Sequence, residues 1–304
     1  MEMLMSRPLS LVHAPYPFPD ESAASWIHRT CQLHGVTYKT LAGYLGLKPT
    51  RDPDLAMPHD HVCQIGVGTS VSPKRLKALA DIFHVVRKNP QLKRLLNFEG
   101  NTPTYQFCPC CLLADRVPYL RIQWRFKAWQ VCPKHRCRMV DCCPTCGIKI
   151  QGAKPCTSIP GDEAPSILYC AACKQALVTP DGESGREVWV SPAKLSVQLA
   201  IVSAVRSGGF RFSEMQEPLS LDLMLWLIDN PDLVNDCLAR SAPRPEQERF
   251  RVVMKELIDT YCVQHGSRRS LDDLLRHRKR WLKKKRSSRA EAAYEAFISR
   301  RTSC

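Results

Sequence analysis

The sequence predicts a mainly α-helical chain interrupted by a compact module of small β elements. Three observations carry this. Eleven of the sixteen cysteines fall between Cys108 and Cys173, which marks a compositionally distinct middle. On both sides of it, apolar residues recur at three- and four-residue spacing, the period of a helix with one buried face. Capping residues and glycine stops bracket those stretches where helices need them. The division that follows is a helical region over residues 1–105, a cysteine module over 106–180 and a helical region with a basic tail over 181–304.

In the first region, a proline-rich loop (Pro15, Pro17, Pro19) precedes Asp20 and Ser22, either able to cap a helix carrying Trp26, Ile27, Cys31 and His34, with Gly35 as its stop. Thr37 can cap a second helix, with Leu41 and Leu45 one turn apart and Gly46 at its end. Two helices joined by so short a turn have the spacing of a helix-turn-helix, a spacing shared with plain helical hairpins. Ser72-Pro73 opens a third helix with Leu76, Leu79, Ala80 and Phe83, and Leu92, Leu95 and Leu96 suggest a fourth. Beyond the cysteines, helices are expected over 192–205, 219–228, 246–265, 270–285 and 290–300.

The middle module contains four close pairs: Cys108 and Cys111, Cys132 and His135, Cys143 and Cys146, and Cys170 and Cys173. A two-residue spacer lets one tight turn aim both ligands at one ion, and two such turns complete a tetrahedron. Pairing in order gives one site of three thiolates and an imidazole and another of four thiolates. A cross-braced arrangement, first pair with third and second with fourth, is the alternative. Proline follows the first cysteine at Pro109, Pro133 and Pro144, fixing φ on entry to the turn. Gly147 stands where a knuckle needs positive φ. Cys110, Cys137, Cys142 and Cys156 are left over; Cys110 and Cys142 adjoin ligands, so the ligand register is open by one or two residues there. Both sites are closed by protein ligands, which favours two structural Zn2+ ions over hydrolytic zinc, a redox dithiol, an iron–sulfur centre or disulfides. The His-x-Glu of nucleotide deaminases is missing, and His59-Asp60-His61 lies outside any helical zinc-protease frame.

Charge supplies the second functional signal. Lys and Arg number 44 against 29 Asp and Glu, a net +15 that favours a polyanionic partner. From His265 to Cys304 there are 13 basic and 4 acidic residues. Arg276, Arg278, Lys279, Arg280, Lys283, Lys284, Lys285 and Arg286 are the expected contacts to a DNA or guide-RNA backbone, against a solvated or disordered tail as the plain reading. Between the first two ligand pairs, Arg121 and Arg125 interleave with Tyr119, Trp124, Phe126 and Trp129. That stretch reads either as a nucleic-acid surface, with Arg121 and Arg125 as contacts, or as tryptophans covering the module while the basic residues face water; the second is favoured.

Hydrophobic residues at 44% and charged ones at 24% exclude a wholly disordered chain. The densest apolar run, Leu221 to Ile228, carries Asp222 and is too short for a membrane span. Glu2 and the early prolines predict no export signal, hence a cytoplasmic protein.

Several of these features, in order, resemble the TniQ family of bacterial transposition target-selection proteins. They are the opening Pro17-Phe18-Pro19-Asp20-Glu21-Ser22-Ala23-Ala24-Ser25-Trp26, then Phe107-Cys108-Pro109-Cys110-Cys111, Tyr119-Leu120-Arg121 and Trp124-Arg125. Val131-Cys132-Pro133-Lys134-His135 and Cys143-Pro144-Thr145-Cys146-Gly147 complete the set. The resemblance implies a helix-turn-helix region with tandem zinc ribbons, the eight paired residues as zinc ligands, and no catalytic residues. It further implies a bacterial, frequently dimeric adaptor that joins a TnsC-like AAA+ regulator ATPase to a target marker, either a CRISPR effector complex or target DNA. A sequence-specific DNA-binding protein using the helix from Thr37 to Gly46 is the competing reading, although Lys39 is that helix's single charged residue. A zinc enzyme is the third.

Overall fold

The computed structural model describes residues 14–56, 65–66, 68–81, 83–152, 166–178, 192–210, 219–241 and 245–265. Among the described residues the chain is mostly helical with one small sheet, and it divides into two compact units, residues 1–208 and 209–304. The divisions anticipated at 105 and 180 therefore both fall inside the first unit.

Helix α1 (Ala23–His34) starts where Ser22 Oγ accepts the Ser25 N–H and stops at Gly35, whose φ of +62° needs no Cβ. Helix α2 (Tyr38–Tyr44) is capped by Thr37, whose hydroxyl accepts the Thr40 N–H. α3 (Pro53–Ala56), α4 (Pro73–Asp81) and α5 (His84–Lys88) follow. Trp26, Ile27 and Cys31 of α1, Leu41 of α2 with Leu45 at its C-cap, and Leu76 and Leu79 of α4 belong to one buried cluster, so the anticipated apolar spacing does put these side chains inside. The Trp26 indole N–H donates to Pro15 O at 2.7 Å, which anchors the proline-rich loop on the core.

Leu92, Leu95 and Leu96 do not build a fourth α-helix. Pro90–Leu95 is a 3-10 helix, consistent with the three-residue step from Leu92 to Leu95, and Leu96 leaves it to pair with Phe126. Strands β1 (Phe98–Glu99), β2 (Thr102–Tyr105) and β3 (Ile150–Gln151) form an antiparallel sheet in the order β1-β2-β3, with Phe98 opposite Pro103 and Tyr105 opposite Ile150. β3, just after Cys146, is thus the strand that ties the cysteine module to the end of the N-terminal region. Helix α6 (Pro109–Ala114) and a 3-10 turn over Ile122–Arg125 lie between β2 and β3. Helix α7 (Pro192–Ser207) also belongs to the first unit: Gln198, 2% exposed, accepts the Val131 N–H and donates to Val131 O, closing on the backbone beside Cys132.

The second unit packs α8 (Leu221–Asp229), α9 (Pro231–Arg240) and α10 (Glu246–Gln264). Leu223, Met224 and Trp226 of α8 and Val253, Met254, Leu257 and Ile258 of α10 are buried, and Trp226 meets Tyr261 edge to face at 5.5 Å. Helix α9, which the sequence reading missed, begins at Pro231, a residue suited to the first helical turn. The helices expected over 270–285 and 290–300 lie outside the described residues.

His28 is 6% exposed and, among the described residues, its Nε2 has no hydrogen-bond partner. Burial lowers its pKa from 6.5 to about 4. The folded state therefore favours neutral imidazole, so its contribution is fully present above pH 6.5 and is lost as pH falls toward 4. Wild type should lose on the order of 3 kcal/mol more across that window than His28→Gln, taking about 1.4 kcal/mol per pKa unit. Denaturant melts of both proteins at several pH values test this; parallel losses would show that His28 stays accessible to protons.

Candidate metal centres

Three of the four close pairs fold as the same short hairpin. At Cys132, Cys143 and Cys170 the first ligand's N–H donates to the carbonyl five residues on (Cys137, Ile148 and Gln175) at 2.8–2.9 Å. The residues just before and six after the ligand pair across it: Val131 with Arg138, Cys142 with Lys149, and Tyr169 with Ala176. The fourth residue after each first ligand has positive φ: Arg136 at +54°, Gly147 at +71° and Lys174 at +64°. Each of those three donates its N–H back to the first ligand's carbonyl. The first pair is built differently, with Cys108 as the N-cap of α6, Pro109 in its first turn, and Cys108 Sγ accepting the Cys111 N–H at 3.3 Å.

Phe107 and Val140 exchange backbone hydrogen bonds at 2.7 and 2.9 Å, which brings the first pair against the second. Cys108, Cys111, Cys132 and His135 converge there. His135 Nδ1 lies 3.4, 3.3 and 3.6 Å from the sulfurs of Cys108, Cys111 and Cys132, and Cys111 Sγ lies 3.7 Å from Cys132 Sγ. A tetrahedron with metal–sulfur and metal–nitrogen bonds of about 2.3 and 2.0 Å has edges of about 3.8 and 3.5 Å, so this donor set fits one ion. Cys143, Cys146, Cys170 and Cys173 form the second cluster, with Cys143 to Cys173 at 3.6 Å and Cys146 to Cys170 at 3.7 Å. The ligands therefore meet in sequential order, and the cross-braced pairing does not occur. Cys142 sits in the paired flank of its hairpin, outside the cluster.

Burial opposes ionisation of Cys143, but N–H groups of Cys146 and Thr145 and the neighbouring thiols outweigh it and bring its pKa down to about 7. In the first cluster, hydrogen bonds from the Cys108 and Cys111 thiols lower the pKa of Cys132, while the same contacts with Cys132 help raise those of Cys108 and Cys111. One thiolate is stabilised at the expense of its neighbours, a conflict that a bound cation resolves by favouring every ionised sulfur. The two clusters fit two metal ions and are compatible with zinc.

The stretch between the first two pairs requires a correction. Trp124 and Trp129 are buried, as favoured from sequence, but Arg125 faces neither nucleic acid nor water. Its side chain is 0% exposed, and its guanidinium is 3.0 Å from both Asp52 Oδ2 and Asp54 Oδ2. Asp54, itself fully buried, also accepts the Ala24 N–H at 2.9 Å and the Tyr105 hydroxyl. Burial pushes the Asp54 carboxyl up and Arg125 pulls it back. Arg121 is bidentate to Asp115 at 2.8 and 2.9 Å, contacts Asp20, and lies over the Tyr119 and Trp124 rings. Both arginines are structural.

The same stretch explains the opening motif. Glu21 holds Arg29 through both carboxylate oxygens and accepts the Ser25 hydroxyl, while Ser25 Oγ accepts the Leu120 N–H at 2.9 Å. Ser22 N donates to Leu120 O, Ile122 N donates to Asp20 O, and Asp20 accepts the Tyr119 hydroxyl and the Gln123 amide. The Glu-Ser-x-x-Ser-Trp motif is thus a clamp between α1 and the segment leading from the first ligand pair to the second. The tail residues Arg276, Arg278, Lys279, Arg280, Lys283, Lys284, Lys285 and Arg286 lie outside the described residues, as do His59, Asp60, His61 and Cys156. Among the described residues, no helix is long and apolar enough to cross a membrane.

No curated protein matches the chain. A family model described as TniQ matches residues 12–139, from the edge of the proline-rich loop through the whole first cluster and short of Cys143. Residues 12–139 thus carry a TniQ domain, the one that the opening motif and the first two ligand pairs resemble.

Proposed function

We propose that this protein is a non-catalytic targeting adaptor in DNA transposition, joining a TnsC-like AAA+ regulator ATPase to a target marker. The observation that carries this is the construction of the TniQ domain. Its signature residues Glu21, Ser22, Ser25, Trp26 and Arg125 are all spent on internal bonds: Ser22, Ser25 and Arg125 tie the N-terminal helices to the segment between the first two ligand pairs, Glu21 braces Ser25 and Arg29, and Trp26 holds the proline-rich loop. Such a body suits holding macromolecules in register. Each cluster has four protein ligands, so zinc there completes its coordination with side chains and contributes folding energy of order 10 kcal/mol per site. The target marker is a CRISPR effector complex or DNA, with the basic tail on a nucleic-acid backbone and a second copy of the chain as partner.

The competing reading, a self-sufficient DNA-site reader, draws little from α2, whose outward positions are Lys39, Thr40, Gly43 and Tyr44. Mixing the purified, metal-replete protein with a TnsC-like AAA+ ATPase from the same genome should give a complex that co-elutes at moderate salt. Replacing Lys283, Lys284, Lys285 and Arg286 by Ala should weaken nucleic-acid binding and flatten its salt dependence without abolishing that complex. Specific retardation of one DNA site by the protein alone, with no ATPase complex, would favour the site reader.

A further inference from the structure

Two cysteines outside the tetrahedral sets lie beside the first one. Cys137 is fully buried, with its sulfur 3.4 Å from Cys108 Sγ, and Cys110, half-buried, brings a third sulfur within 4.8 Å of both. The backbone holds them there. The Cys132 N–H donates to Cys137 O, which ends the Cys132 hairpin, and Cys110 lies in the first turn of α6, one residue before the ligand Cys111.

We propose that Cys108, Cys110 and Cys137 form a third metal site, sharing the Cys108 thiolate with the first cluster and taking a thiophilic d10 cation. A thiolate bound to one cation keeps lone pairs for a second, so Cys108 can bridge. Three sulfurs without a nitrogen or oxygen donor select soft cations over magnesium, calcium or manganese. A three-sulfur set also leaves room for low coordination number, which monovalent copper accepts and divalent zinc fills less well, so this site is the weaker for zinc. Binding releases the protons of the Cys110 and Cys137 thiols to water and transfers no electrons. A cation here offsets the charge of two added thiolates beside a cluster that already carries one net negative charge when zinc-loaded. The half-exposed Cys110 supplies the entry path. The proposal rests on Cys108 being a ligand of the first cluster.

Cadmium is the probe, added anaerobically to the full-length, metal-free chain during refolding and followed by sulfur-to-cadmium absorbance and cadmium NMR with the spin-active isotope. The expected result is three equivalents bound, with two of the cadmium resonances coupled through their shared sulfur. Cys110→Ser and Cys137→Ser should each bind two and lose the coupling; the Cys110 variant alters a half-exposed position and keeps the test valid if the buried one fails to fold. Two uncoupled equivalents in the wild type would overturn the third site, leave the two clusters standing, and make Cys137 an S–H donor to Cys108. Fewer than two would overturn the cluster assignment itself.

Discussion

Cys132→Ser should lose one metal ion and, with it, the folded state of the first unit. Cys132 Sγ lies 3.7 and 3.6 Å from Cys111 Sγ and His135 Nδ1, and accepts the His135 N–H at 3.4 Å, so its loss opens the tetrahedral set. A structural zinc site is worth of order 10 kcal/mol, comparable with the whole stability of a domain at about 5–15 kcal/mol. The loss spreads because the chain between the ligand pairs carries Leu120, Ile122 and Arg125, the partners of Ser22, Asp20 and Asp54. Releasing that segment undoes the clamp on α1. Cys173→Ser should instead be local. The second cluster is more exposed, with Cys146 at the surface, and within the first unit it reaches the sheet through β3. Circular dichroism melts with metal content should show loss of the cooperative transition in the first variant and a retained, lowered one in the second. Equal and mild effects would mean that the helices fold without the first cluster.

Arg125→Leu should destabilise the first unit by about 3–5 kcal/mol, the usual result of stranding a buried charge. The Asp54 carboxyl would remain fully buried with the Asp52 carboxyl beside it and no cation between them. The Ala24 N–H and Tyr105 hydroxyl would still reach Asp54, so part of its charge stays stabilised. Burial and Asp52 already push the Asp54 pKa up, and removing Arg125 takes away the largest opposing influence. A group whose folded pKa is raised loses stability as pH rises through that pKa, so the variant's deficit should be larger at pH 8 than at pH 5. Adding Asp54→Asn should recover part of it, since the amide oxygen still accepts the Ala24 N–H. A deficit under 1 kcal/mol, independent of pH, would show that this ion cluster is open to solvent.

The ligand pairs were legible in the sequence because each needs only a local turn, and Gly147 announced the left-handed position in one of them. Arg136 and Lys174 occupy the same position without a glycine to mark it; there the hairpin's own backbone bonds impose the conformation. The caps at Ser22 and Thr37 and the stop at Gly35 were legible for the same local reason. Arg125 was misread because its partner is distant, Asp54 being 71 residues away, whereas Arg121 pairs with Asp115 only six residues before it, a nearby carboxylate that the reading passed over. A basic residue among aromatics looks like a contact surface until the carboxylates that face it are known. Gln198 shows the same limit, since nothing near it in sequence indicates that its amide closes on Val131. Cys137 was left over because spacing selects pairs, whereas its place against Cys108 follows from the Cys132 hairpin meeting the start of α6 through Phe107 and Val140.

Elemental analysis of protein purified natively without chelators, normalised to amino-acid analysis, tests the account most directly. It predicts at least two zinc ions per chain, one held by Cys108, Cys111, Cys132 and His135 and one by Cys143, Cys146, Cys170 and Cys173. A folded chain carrying markedly fewer than two would contradict it.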